Sequence, residues 1–227
     1  MTAFIKRFAA PLFFATMMAF IAGGLLKNEW IQIITKPLLL PILMGLVFVS
    51  TPPSTSRTLM LVALFFSFAG DVFLLFETSN AMLFIPGLVS FLLTHILYII
   101  YFLSIPALKK SLLKTAPYLG LLVAAYGLLL VYILFPSLGA LKIPVIIYAT
   151  VIMSMLLASI HIYYRVHDDA GRLFIAGALF FVLSDSLLAF NKFHTPIQFP
   201  FLIILTYCIA QYLIVRGFIK NSESNSQ

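Results

Sequence analysis

Apolar runs of about twenty residues recur eight times along this chain, and that recurrence leaves few folds open. A helix needs about 20 apolar residues to cross a hydrocarbon core of about 30 Å. The runs cover residues 8–26, 32–50, 58–76, 82–104, 115–135, 143–164, 172–190 and 197–218. The breaks carry punctuation: Lys27-Asn28-Glu29, Thr51-Pro52-Pro53-Ser54, Glu77-Thr78-Ser79-Asn80, Lys109-Lys110, Pro136-Ser137, His167-Asp168-Asp169 and Asn191-Lys192. Each break is short, so consecutive helices should run antiparallel. The expected fold is all-α: a polytopic membrane protein of eight transmembrane helices. A single bundle domain is expected over residues 1–220, with a polar, frayed tail over 221–227. The first run follows Lys6-Arg7. It reads as a first transmembrane helix rather than a signal peptide, since seven runs follow and no clear small-x-small site ends it.

Composition excludes a soluble domain. The chain is 63% hydrophobic and 9% charged, where soluble domains carry about 25% charged residues. Mean hydropathy is +1.12. The net charge of +7 therefore does not point to nucleic acid, because Lys and Arg of membrane proteins sort to the cytoplasmic ends of helices. With eight crossings both termini share a side. That side collects ten basic residues: Lys6, Arg7, Arg57, Lys109, Lys110, Lys114, Arg165, Arg172, Arg216 and Lys220. The other collects Lys27, Lys36, Lys142 and Lys192. Ten against four puts both termini in the cytoplasm. The lone Trp30 suits an interfacial anchor. The one cysteine, Cys208, lies in an apolar run, so no disulfide forms within the chain.

Two of the seven acidic residues, Asp71 and Asp185, stand inside otherwise oily runs. A carboxylate at that depth costs roughly 2.5–3.5 kcal/mol even on a lenient scale, which makes it a functional candidate. The two lie 114 residues apart, half the chain. Sliding the sequence by that distance gives eight identities over 39 positions, 64–102 against 178–216. Roughly half that number arises by chance in so apolar a composition. The Asp pair, Pro86 with Pro200 and Tyr98 with Tyr212 carry the signal. It suggests a parallel 4+4 repeat about an axis along the membrane normal; coincidence between two helix-turn-helix units is the plain alternative.

Helical rise gives depth. Each Asp sits six residues inside a polar end, Glu77 or Asn191, or about 9 Å. Lys36, Tyr148 and Tyr207 fall at similar depths in their runs, and His95 nearer the midplane. These groups can share a layer in the outer half of the bilayer. In the fourth run Gly87, Ser90, Thr94, Tyr98 and Tyr101 recur at steps of three and four, one side of a helix, with His95 beside them. In the seventh, Gly177, Ser184 and Asn191 recur at steps of seven beside Asp185. These faces read as the lining of one polar cavity. Plainer readings stand beside this one. The carboxylates can be structural, Lys36 can snorkel to the headgroups, His95 can be a satisfied interhelical donor, and the tyrosines can be packing or belt residues. His161 and Arg165 lie one turn apart and read as facing cytoplasmic water or headgroups. The four histidines show no HxxxH spacing, and no G-x-S-x-G, P-loop or Gly-rich dinucleotide fingerprint is present.

Five motifs in order carry a resemblance. They are Thr35-Lys36-Pro37-Leu38, Gly70-Asp71-Val72-Phe73-Leu74, Phe84-Ile85-Pro86-Gly87 through Ser90-Phe91 to His95 and Tyr98, Gly177-Ala178-Leu179-Phe180 into Ser184-Asp185-Ser186-Leu187-Leu188-Ala189, and Ala210-Gln211. Together they resemble the YhhN-like lysoplasmalogenase family over residues 31–218. The resemblance implies an integral protein of a bacterial inner membrane. It implies hydrolysis of the vinyl ether bond of lysoplasmalogens to a fatty aldehyde and a glycerophospho-ethanolamine or -choline. The partners expected are that lysophospholipid and membrane lipids; no nucleic acid, metal or cofactor is expected. Candidate catalytic residues are Asp71, Asp185 and His95. Candidate substrate-binding residues are Lys36, Tyr98, Tyr148, Ser184, Asn191, Tyr207 and Gln211.

That chemistry suits carboxylates. A vinyl ether is not an electrophile until its β-carbon is protonated, so a Ser or Cys nucleophile would not help. The reaction needs an acid, an anion facing the oxocarbenium and a base for water, as in glycoside hydrolysis. Lys36 can keep one Asp as the anion while apolar surroundings keep the other as the acid. Asp71 is the expected anion and Asp185 the acid, with His95 as the alternative acid; Lys36 can instead bind the substrate phosphate. Two other classes stay open: a small proton-coupled transporter, and a non-catalytic lipid-binding membrane protein.

Overall fold

The computed structural model describes residues 2–77, 79–106 and 110–224. Thr78 and Lys109 of the expected breaks, and residues 225–227 of the expected tail, lie outside the described residues. All regular structure among the described residues is helical. Eight long helices follow one another: α1 (Thr2–Leu25), α2 (Glu29–Ser50), α3 (Thr55–Leu75), α4 (Phe84–Leu103), α5 (Tyr118–Leu134), α6 (Lys142–His161), α7 (Asp168–Phe193) and α8 (Phe201–Ser224). Short single turns occupy several of the connections. With their flanking turns the eight spans are 20–26 residues long, the length a hydrocarbon core demands.

Local chemistry explains the ends. Asn28 Oδ1 accepts from Ile31 N at 3.3 Å to start α2, and Ser54 Oγ accepts from Arg57 N at 3.1 Å to start α3. Each meets one of the orphan N–H groups of a helix start. Helix α2 runs unbroken through Pro37 and Pro41, a tolerance common in membrane helices. Four ends depart from the sequence reading. Helix α1 begins at Thr2, not near 8. Helix α7 begins at Asp168, not near 172. The His167-Asp168-Asp169 cluster is a start signal rather than a break: His167 Nδ1 accepts from Asp169 N at 3.3 Å, and two acids favour a helix N-terminus. Helix α8 begins at Phe201, just past Pro200, rather than at 197. It then continues to Ser224, so residues 221–224 of the expected tail are helical. Asn221 is buried there, donating through Nδ2 to Tyr101 Oη at 3.2 Å.

The chain forms two compact units, Met1–Tyr98 and Ile99–Gln227. In the first, α1 packs on α2 and α2 on α3. Helices α3 and α4 are joined by Ser67 Oγ and Thr94 Oγ1 at 3.0 Å, and Thr94 Oγ1 also donates to Ala63 O at 3.2 Å. They approach closely at Gly70, where a Cβ would stand 2.7 Å from the Phe91 ring. In the second unit α7 lies along α8, and α6 packs on both α5 and α7. Gly177 makes the α7–α8 contact possible: a Cβ there would come within 3.0 Å of backbone atoms Ala210 O and Ile214 N. An aromatic cluster of Tyr101, Phe102, Phe174 and Phe218 fills one end, with ring centroids 5.1–5.8 Å apart. The outside is apolar. Leu121, Leu128 and Tyr132 of α5 are each more than 70% exposed, a face that only lipid or another apolar surface would cover.

Candidate active site

The first unit buries an ion pair. Asp71, on α3, is 3% exposed. Lys36, on α2, points inward, with Nζ 3.7 Å from Asp71 Oδ1. The ammonium also lies 5.9 Å from the Phe20 ring centroid of α1, within cation–π reach. So the lysine is directed to the carboxylate instead of snorkelling outward. At 3.7 Å the pair is electrostatic rather than a short charge-assisted hydrogen bond, for which 2.7–2.9 Å is usual. Ser67, one turn before Asp71, is fully buried, and so are Thr94, His95 and Tyr98 of α4. Gly87 and Ser90 complete the inward face of α4 that the three-and-four spacing outlined. His95 follows Phe91, whose ring lies over Gly70 beside Asp71, by one helical turn.

The second unit holds the other carboxylate in a different setting. Asp185, on α7, is half-buried, and its Oδ2 accepts from Tyr148 Oη of α6 at 2.5 Å. Its neighbours reach elsewhere. Ser184 Oγ donates to Ile203 O of α8 at 2.9 Å. Ser186 Oγ accepts from Tyr126 Oη of α5 at 2.8 Å while donating to Val182 O at 2.7 Å. Three consecutive residues of α7 therefore tie it to α8, α6 and α5 in turn. The carboxylate is held at the centre of that tie.

The other candidates divide. Tyr207 and Gln211 are buried one turn apart on α8, with Tyr207 edge-on to Phe181 at 5.6 Å between centroids. Asn191 serves the connection between α7 and α8, where its Oδ1 accepts from Ile197 N at 3.0 Å. Lys36, Asp71, His95 and Tyr98 belong to the first unit; Tyr148, Asp185, Ser184, Asn191, Tyr207 and Gln211 belong to the second. Tyr126 was not among the sequence candidates. Its one signal was a phenol in an apolar helix, which equally suits lipid contact. An open apolar cleft of about 440 Å³, lined by Leu128, Val131, Tyr132, Ile133, Phe135 and Pro136, contains none of the candidates. Among the described residues no three His, Cys, Asp or Glu side chains gather as metal ligands would.

Eight apolar helices with ionisable side chains held inside them define an integral, multi-pass membrane protein. The YhhN family model matches residues 31–218, and the chain belongs to the YhhN family. It is 33% identical over 187 residues to lysoplasmalogenase TMEM86A of Homo sapiens, covering 79% of this chain and 72% of that protein. It is 30% identical over 198 residues to lysoplasmalogenase TMEM86B of Homo sapiens, covering 85% and 77%. The bovine TMEM86A is 32% identical over 184 residues, covering 79% and 72%. No solved structure matches the chain.

Proposed function

We propose that this protein is a lysoplasmalogenase-type hydrolase. It cleaves the vinyl ether bond of an alkenyl lysophospholipid to a fatty aldehyde and a glycerophospho-ethanolamine or -choline. Kinship to named lysoplasmalogenases supports the activity. The observation that carries the chemistry is the buried Lys36–Asp71 pair, a carboxyl group beside an ammonium.

Asp185 donates a proton to the β-carbon of the alkenyl chain. The ether oxygen then shares positive charge with the α-carbon, and Asp71 stabilises that oxocarbenium. Water adds at the α-carbon, and the Asp185 carboxylate takes the proton that water loses. This restores the acid and leaves a hemiacetal. The hemiacetal's C–O bond to glycerol breaks, its hydroxyl proton passes to the leaving oxygen, and aldehyde and alcohol separate. One water is consumed and no net proton is released. Tyr148 donates to Oδ2 of Asp185 and orients the carboxyl group on this reading. His95 is the alternative acid on this reading. Lys36 keeps Asp71 anionic. Tyr98, Ser184, Asn191, Tyr207 and Gln211 are proposed to line the path of the substrate.

The test is aldehyde release by purified protein given lysoplasmalogen, per mole of folded protein. Asp71→Asn and Asp185→Asn each lower the rate by roughly 10²–10³. The double variant tests whether the two carboxylates serve one reaction: a combined loss close to either single loss means that they act together. Substrate bound without turnover by the wild type would leave a lipid-binding protein instead.

A further inference from the structure

At the far end of α6 a cluster of basic side chains has no role in that chemistry. His161 closes α6, and Arg165 ends the 3-10 turn Tyr163–Arg165 that follows. The single helical turn Leu112–Thr115 carries Lys114 and packs on α6. Arg165 and Lys114 both lie within electrostatic reach of the His161 ring. Among the described residues none of the three forms an ion pair. Asp169, at the start of α7, is engaged by Lys220 at 2.5 Å.

Arg165 Nε is buried and meets no acceptor among the described residues. Arg165 as a whole is only partly buried, so it is this one N–H, not the charge, that lacks a partner and calls for an explanation. The turn beneath it is firmly seated. Arg165 N donates to Ile162 O at 2.7 Å. Gly171 of α7 comes so close that a Cβ would stand 2.9 Å from Tyr163 O. Tyr163 and Tyr164 stand edge to face at 5.1 Å, and Tyr164 is 40% exposed, as aromatic residues at headgroup depth are.

We infer that Lys114, His161 and Arg165 bind a phosphate ester at the membrane surface. A guanidinium fork matches tetrahedral oxyanions in pairs of hydrogen bonds, and a lysine adds a mobile point charge. The Leu112–Thr115 turn packs on α6, so donors from two segments can serve one multivalent acceptor. The site lies thirteen residues from Tyr148 along α6, or about 20 Å, so it is separate from the Asp185 carboxylate. It does not depend on the hydrolase reading, and loss of phosphate binding would leave hydrolysis untested.

The experiment follows the melting temperature of the purified full chain in a neutral detergent. The probes are dioleoylphosphatidylglycerol in mixed micelles, soluble glycerol phosphate, and laurate as an anion without phosphorus. A phosphate carrier should raise the midpoint by at least about 3 °C at saturation, and laurate should not. Arg165→Gln should weaken the apparent affinity at least about tenfold, and Lys114→Ala by a smaller factor. A response to phosphatidylglycerol alone identifies a lipid headgroup; a response to glycerol phosphate identifies a free ester; each supports the site. No response to either carrier overturns it. So does equal binding by both variants and the wild type, or full substitution by laurate. If Arg165→Gln does not fold, Lys114→Ala, at an exposed position, decides the matter alone.

Discussion

Tyr148 of α6 donates a 2.5 Å hydrogen bond to Asp185 of α7, and the two serines flanking that aspartate bind two further helices. The carboxylate is oriented by its neighbours before any substrate arrives. Tyr148→Phe removes the donor and keeps the ring. We expect kcat to fall roughly tenfold with little change in melting temperature, because on this reading the bond strengthens as Asp185 gives up its proton and becomes charged. Aldehyde release against substrate concentration checks it; an unchanged kcat would remove Tyr148 from the positioning of Asp185.

The Lys36–Asp71 pair predicts an asymmetry. Asp71→Asn leaves a long lysine whose stem can carry its charge toward the headgroups. That variant should fold normally and lose turnover. Lys36→Met leaves a short carboxylate locked 3% exposed in α3. Breaking a buried pair from that side costs about 3–5 kcal/mol. Lys36→Met with Asp71→Leu should recover most of that stability and none of the activity. Thermal unfolding in detergent beside the turnover assay reads both; equal losses of stability in the two single variants would refute the asymmetry.

The α7–α8 contact rests on a missing side chain. Gly177→Ala places a Cβ 2.7 Å from Ile214 Cγ1 and 3.0 Å from two backbone atoms. Overpacking of that kind costs about 1–3 kcal/mol. Gly45 of α2 has nothing within 4 Å of its would-be Cβ, so Gly45→Ala should be neutral or stabilising. Paired melting curves in one detergent settle the contrast.

Both termini are expected in the cytoplasm from the ten-to-four distribution of basic residues. A reporter fused after Gln227 should be active on the cytoplasmic side only. Activity outside the cell would overturn that orientation.

Much of the fold was legible because lipid thickness allows so few span lengths. All eight spans lie within a few residues of their sequence positions. Three of the ends that moved did so for local reasons: acids that start α7, Pro200 before α8, and a tertiary partner, Tyr101, that extends α8 past Asn221. The inward face of α4 was legible from its spacing, since Ser90, Thr94, Tyr98 and Tyr101 are all buried. Depth matching brought out Lys36 as a neighbour for Asp71. Tyr126 escaped notice because a phenol in an oily helix has the same sequence signature whether it meets a serine or lipid. The bond from Ile197 N to Asn191 Oδ1 was not legible, because a seven-residue period does not reveal which side chain also closes a turn.

The Lys36–Asp71 pair also has an electrical consequence. Opposite charges 3.7 Å apart sum to zero. A membrane potential acts on net charge, at about 2.3 kcal/mol per elementary charge per 100 mV. It therefore has little purchase on this site while the pair stays intact. A hydrolase built on such a pair should turn over equally fast in polarised and depolarised vesicles. A carrier that protonated Asp71 in each cycle would expose a lone lysine to the field and give a measurable current.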